Sequence, residues 1–511
     1  MDSLKMAAVN DPDSIFLKTE LAQVYVFEKQ YKKAINILQT TLKKYPNNIL
    51  VLTMLAGLYE TLCEYQKAIE TYQKIILEDP KDGNGHLRLG SVYLQIGKLH
   101  EARDILEKAV DLIPTSIESY YYLGTLYLEL KEYDKAETYL LKALEFNASL
   151  EPALFDLVRI YQATQQWNMI AEVYQKILKS DPNNIQAAIG LGRHYLITGK
   201  PQKAKKIFHE ITSRSRNASY VVEHIAAIYL DQKEYGEAIR LLENLLEKNP
   251  DSSELLYFLG FAYAGKEDRK KAIEYYQMIS VDSNYYVNSV IQIAYLYQIE
   301  GEIEKAIDIL LSASKNRPED PDLFLYLGSL YEEQTEYTKG AAAIREGLRI
   351  APENTKLHFR LGVIYDKMNQ KDLSIKAMKQ VIELDPEHAN ALNYLGFTYA
   401  ESGMCLDEAE ALIKKALILK PDDGYITDSL GWVYFKKGLF DQAVLWLRKA
   451  TDLAPDDPII LEHLGDAYTK KNLFKTALKY YKMALKKQER EENHIKLKEK
   501  IERIEKKIRN P

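Results

Sequence analysis

The sequence predicts an all-α chain of about fourteen helix–turn–helix units stacked side by side and closed by a terminal helix. Three regularities predict it. Tyrosine recurs at Tyr25, Tyr59, Tyr93, Tyr127, Tyr161, Tyr195, Tyr229, Tyr263, Tyr297, Tyr331, Tyr365, Tyr399, Tyr434 and Tyr468, every step being 34 residues except the 35 from Tyr399 to Tyr434. Three residues before each stands a small residue, from Ala22, Ala56 and Gly90 to Gly431 and Gly465, with Val158 the one departure. Nine residues after it comes alanine in most units, as at Ala34, Ala68, Ala102, Ala136, Ala204 and Ala238. A fixed period of this length marks stacked repeats. The 511 residues, three or four domains by length alone, therefore reduce to one array.

Within each unit, apolar residues fall at helical spacing in two stretches joined by a short turn, which often holds glycine, as at Gly97, Gly199, Gly301, Gly403 and Gly438. The small column lets two helix backbones approach, and the tyrosine ring fills the space beside that contact, so the tyrosine column reads as core packing. A proline closes many units, among them Pro46, Pro80, Pro114, Pro182, Pro352, Pro421 and Pro455. The Asp or Asn after it is placed to cap the next helix, as in Pro46-Asn47-Asn48 and Pro421-Asp422-Asp423. One hairpin cannot bury its apolar face alone, so neighbours must stack.

The frames run 15–48, 49–82, 83–116, 117–150, 151–184, 185–218, 219–252, 253–286, 287–320, 321–354, 355–388, 389–423, 424–457 and 458–491. Residues 1–14 read as the remnant second helix of a truncated repeat, with Pro12 as its closing proline and Ala7 as its last alanine. Sequence upstream is therefore expected to be missing; the alternative is that this short helix is a sufficient cap. Residues 492–511 read as a C-terminal capping helix, with an apolar stripe of Leu497, Ile501, Ile504 and Ile508 and Lys/Glu pairs opposite. Units without a closing proline mark weak seams: TSRSRNAS at 212–219, FNASLEP in the fourth unit and SVDSNYY in the eighth. A break in curvature is expected near 212–219.

LGTLYLELKEYDKAETYLLKAL from Leu123 and LGWVYFKKGLFDQAVLWLRKA from Leu430 carry the unit almost in full. This pattern, L-G/A-x-x-Y, then A, a large apolar residue, A and P, resembles the tetratricopeptide repeat. The resemblance implies a right-handed α–α superhelix whose first helices line a concave groove that takes protein or peptide segments. It also implies that the residues six before, two before and one after the ruler tyrosine face inward. On that basis the candidate groove residues are Arg159, Arg193, Tyr257, Phe261, Tyr295, Phe397, Trp432 and Phe435. The two arginines suit an acidic segment, and aromatic and arginine anchors are what interface hot spots favour. The competing reading packs these rings between adjacent helices. Trp167 and Trp446 lie at turn or second-helix positions and read as structural.

Two ligand modes of the resembled family fail on residues. The carboxylate clamp for chaperone tails finds its third set in Lys356 and Arg360, but Ile291, Tyr295 and Tyr326 occupy the other positions. The asparagine ladder of the N-acetylglucosamine transferases has no asparagine in the corresponding column. The stretch from Asn393 to Tyr468, with DSLGWV and LEHLGDAY, resembles the C-terminal part of long bacterial tetratricopeptide proteins, many of them exported or lipid-anchored at the envelope. The missing rubredoxin-like CxxC pairs argue against the cytoplasm-facing envelope assembly protein that also carries such repeats.

Composition narrows the chemistry. With 68 basic against 74 acidic residues and a net charge of −6, the chain lacks the basic excess of a nucleic-acid protein. No run approaches the roughly 18 apolar residues of a membrane span. MDSLKMAAVNDPDS has no apolar core for a signal peptide. Cys63 and Cys405 are ten stacked units apart, beyond disulfide reach, and suit a reducing compartment. The sequence has no HExxH, no CxxC and no glycine-rich phosphate loop. Neither terminal remnant is long enough for a catalytic domain. No enzyme activity, cofactor or metal is expected. The function read from the chain is a non-catalytic scaffold or adaptor for protein or peptide segments, with an assembly or regulatory subunit of a bacterial envelope complex as the alternative. The location is cytoplasmic as the chain stands, or periplasmic or outer-membrane lipoprotein if an upstream signal is missing. Nothing in the sequence indicates the oligomeric state.

Overall fold

The computed structural model describes Met6, Asp11 and residues 13–215, 218–488 and 491–509. The expected remnant helix at the N-terminus thus lies almost wholly outside the described residues, and the seam at 212–219 is interrupted at 216–217. The described residues contain 29 α-helices and no strand. They alternate as pairs, from Ile15–Phe27 with Tyr31–Lys44 to Pro458–Lys470 with Phe474–Lys487, followed by a last helix, Glu491–Arg509.

The first helix of a pair starts where a short polar side chain can accept its orphan N–H groups. Asn48 Oδ1 accepts from Val51 N at 3.1 Å, Asp82 Oδ1 from Asn84 N at 3.1 Å and Asp423 Oδ1 from Tyr425 N at 2.9 Å, as the residues after the closing prolines suggest. The turn to the second helix passes through one residue in the left-handed region. Glycine fills it at Gly97, Gly199, Gly301, Gly403 and Gly438, but Cys63, Lys131, Thr335 and Asn369 hold the same conformation, at φ between 58° and 61°. The extra residue of the twelfth repeat sits in this turn, where Cys405 adds a second left-handed position at φ 47°.

Backbone contact between paired helices is as close as the small column requires. A Cβ on Gly124 would stand 2.7 Å from Leu140 Cγ, and one on Gly192 would stand 2.1 Å from the Phe208 ring. Val158, the one large residue of that column, is itself buried, and the Tyr174 ring of its partner helix lies against Gly190 of the next repeat. The ruler tyrosines also reach beyond their own pair. Tyr59, Tyr93 and Tyr195 accept from the side-chain amides of Gln39, Gln73 and Gln175 at 2.9–3.0 Å, each on the second helix of the preceding repeat. Tyr263 donates to Glu243 at 2.7 Å. The lysine eight residues after the tyrosine lies over the ring in several repeats, as Lys135 over Tyr127 at 4.8 Å and Lys271 over Tyr263 at 4.9 Å.

Residues 1–241 form one compact unit and residues 242–511 a second. In the first, Leu38, Leu106, Leu123, Leu140 and Ile177 are among the fully buried side chains. In the second, one core cluster runs from Met378 to Ala467, another from Val287 to Leu330, and the last joins Leu461, Ala477, Tyr481 and Ala484 to Leu497, Ile501 and Ile504 of the final helix. The second helix of the eighth repeat, Arg269–Gln277, is only nine residues long, and the chain then crosses through Met278–Tyr285. No helix of the described residues is long and apolar enough to cross a membrane.

Candidate functional site

The candidate residues all lie on first helices, but the structure gives them three different settings. Arg159, on Glu151–Ala163, bonds Glu129 at 2.8 Å and Asp156 at 3.0 Å. Arg193, on Ile185–Ile197, bonds Asp231 at 3.1 Å. Both guanidinium groups remain about half exposed, yet each already holds carboxylates of its own chain from the first helix of a neighbouring repeat. An acidic ligand at these arginines would compete with those partners.

In the second unit, repeats eight to ten present an open aromatic face. Phe261 is 43% exposed, Tyr295 54%, Ile299 48% and Tyr326 44%. They stand on Ser253–Gly265, Tyr286–Ile299 and Pro321–Glu333, three consecutive first helices. Gln298 Nε2 donates to Glu333 and ties the ninth repeat to the tenth, and Arg360 reaches back to Glu332 at 3.0 Å from the eleventh. Tyr257 is half-buried behind this face, 5.6 Å from Tyr276 and 5.3 Å from Tyr285 between ring centres. Burial pushes its phenol up, and the Tyr326 phenol two repeats on adds to the shift.

Repeats twelve to fourteen carry the same column in a closed form. Trp432 is 8% exposed. Its indole lies between Phe435, at 4.6 Å and 6°, and His463, at 4.0 Å and 18°, and its N–H is donated to Glu401. Phe397 and Phe435 are partly buried against the same cluster. His463 Nδ1 bonds the Asp428 carboxylate at 2.9 Å, both groups being buried. Burial opposes a charge on the ring, but the Asp428 carboxylate overrides it and holds the His463 pKa above its ordinary value. One turn on, Lys500 of the last helix bonds Glu462 and Asp466, each at 2.7 Å, and the Tyr481 hydroxyl donates to Asp466 at 2.6 Å. Burial disfavours the Lys500 ammonium, and Asp466 more than compensates, so its pKa stands above the usual lysine value. Here rings and charges satisfy one another within the chain.

The structure thus brings Trp432, Phe435 and Phe397 together as packing and leaves Phe261 and Tyr295 open. Periodic reading of three columns missed Ile299 and Tyr326 as members of the open face. They stand two after and five before the ruler tyrosine, columns that hold Glu333 and Gln292 in the neighbouring repeat, so no column pattern marked them.

Models described as tetratricopeptide repeat match residues 25–89, 83–149, 229–284, 292–355, 355–388 and 460–493, and a TPR repeat model matches 431–472. Together they cover well over half of the chain. A TPR repeat-containing protein of Pseudomonas aeruginosa is 45% identical over 53 residues, a match spanning 10% of this chain and 9% of that protein. Among solved structures, the Cut9–Hcn1 hetero-tetramer of the APC/C aligns over 91% of this chain and 99% of that chain at 16% identity, with a TM-score of 0.37. Yeast Tom70 aligns over 92% and 97% at 16% identity, with a TM-score of 0.39.

Proposed function

Because the chain belongs to the tetratricopeptide repeat family, we propose that it is a non-catalytic scaffold that holds segments of other proteins along its first helices. One observation carries this reading: Phe261, Tyr295, Ile299 and Tyr326 are each about half exposed on three consecutive helices, while the matching column is packed shut at Trp432. Exposed apolar groups gathered on one face mark interaction surfaces, and aromatic residues dominate interface energies. Affinity capture from cells, with bound proteins identified by mass spectrometry, tests it. The intact chain should retain a specific partner that the Phe261→Ala/Tyr295→Ala variant loses. Identical partner lists for the two would refute the assignment of the face.

The narrower reading, an assembly or regulatory subunit at a bacterial envelope, is supported by the likeness of residues 393–468 to long bacterial repeat proteins and by the short Pseudomonas match. Fractionation of source cells separates the two locations. Recovery with envelope proteins supports the narrower reading, and recovery only among cytosolic proteins removes it.

A further inference from the structure

The open aromatic face is electrically one-sided. The helices Ser253–Gly265, Tyr286–Ile299 and Pro321–Glu333 carry Glu254, Asp322, Glu332 and Glu333 and no lysine, arginine or histidine; Arg360 of the eleventh repeat offsets Glu332, so Glu254, Asp322 and Glu333 make the face net negative. Glu333 is bonded by the Gln298 amide, a neutral group that leaves the carboxylate charge in place.

A second observation is independent of charge. Tyr72, Tyr276 and Tyr481 occupy equivalent positions on second helices, thirteen residues after the ruler tyrosine. The hydroxyls of Tyr72 and Tyr481 pass between the helices to the first-helix face, donating to Glu60 at 2.7 Å and to Asp466 at 2.6 Å. In the eighth repeat the corresponding face positions hold Phe261 and Ala264, which offer no acceptor. The Tyr276 hydroxyl is left buried without a hydrogen-bond partner, in a residue 1% exposed. A buried polar group in that state is costly unless something completes it.

We infer that this face takes an extended basic segment of a partner protein, whose arginines or lysines meet Glu254 and Glu333 and lie over Phe261, Tyr295 and Tyr326. The inference rests on the scaffold reading and names the chemistry of its ligand. A guanidinium or ammonium over an aromatic face gains from the ring quadrupole, and a nearby carboxylate adds to it.

The test uses the full chain and two fluorescent nonapeptides, one alternating arginine with leucine and one alternating glutamate with leucine, read by anisotropy. The arginine peptide should bind at least about tenfold tighter than the glutamate peptide. Added salt should weaken it. Glu254→Gln/Glu333→Gln and Phe261→Ala/Tyr295→Ala should each cost about tenfold or more, and Glu346→Gln on a second helix should leave binding unchanged. Far-ultraviolet dichroism confirms that each variant is folded. If the glutamate peptide binds better and the aromatic variant weakens it, the scaffold reading survives and the basic ligand is wrong. If neither peptide binds, or binding ignores the aromatic variant, the inference falls. If sedimentation instead reveals self-association that Phe261→Ala/Tyr295→Ala abolishes, the face belongs to a second copy of the chain and the inference is likewise overturned.

Discussion

At Tyr195 the ring and the hydroxyl have separate roles. The ring is buried, while the hydroxyl accepts from Gln175 of the preceding repeat at 2.9 Å. Tyr195→Phe keeps the ring and should cost about 1 kcal/mol in a denaturant titration, the net value of one hydrogen bond. Tyr195→Ala should cost about 3–5 kcal/mol, as for other large aromatic deletions. The turn gives a prediction of opposite sign. Thr335 is β-branched and holds φ 59°, a conformation that glycine adopts freely. Thr335→Gly should raise stability by about 1 kcal/mol, while Gly301→Ala, at φ 77°, should lower it by a similar amount. Thermal melts of the two variants check both signs. The packing role of the tyrosines was legible because it follows the 34-residue period. Their hydroxyl partners share one column too, Gln39, Gln73 and Gln175 standing twenty residues before a ruler tyrosine, but only the fold shows that the amides reach the rings of the next repeat.

Among the helices, the pair around Trp432 shows where a column stops being informative. Position two before the tyrosine is open at Phe261 and Tyr295 and closed at Trp432, because Phe435 from another column of the same helix and Glu401 and His463 from the neighbouring repeats surround the indole. Period alone cannot foresee which neighbours are large enough to close over a ring. The same cluster predicts a pH response. The folded-state pKa of His463 is raised, so the stabilisation from its pair with Asp428 is complete below the unfolded value of about 6.5 and is lost as pH rises through the folded value. Asp428→Asn should flatten that part of the melting-temperature profile, and an unchanged slope would show that the pair does not titrate there. The last helix is held by Leu497, fully buried, and by Lys500 on Glu462 and Asp466. Leu497→Ala should cost about 2–5 kcal/mol and expose the amides of 491–509 to hydrogen exchange first. The apolar stripe of this helix was readable from its spacing, whereas the Lys500 ion pairs join residues 34 and 38 apart and needed the fold.

For the whole molecule, the regular period hides a division into residues 1–241 and 242–511. Repeats gain their stability from neighbours, so damage should spread locally and stop. Leu447→Ala, at a site with no exposure beside Gly431, should strip exchange protection from 424–487 and leave 83–146 unchanged. The central claim is that the chain works by holding another protein on the face marked by Tyr295. Photocrosslinking from benzoylphenylalanine placed at Tyr295 tests this most directly, with Leu445, 66% exposed on a second helix, as the reference site. The account predicts a discrete covalent adduct with a partner from position 295 and none from 445. Equal labelling from both sites, or a discrete adduct from 445 alone, would contradict it.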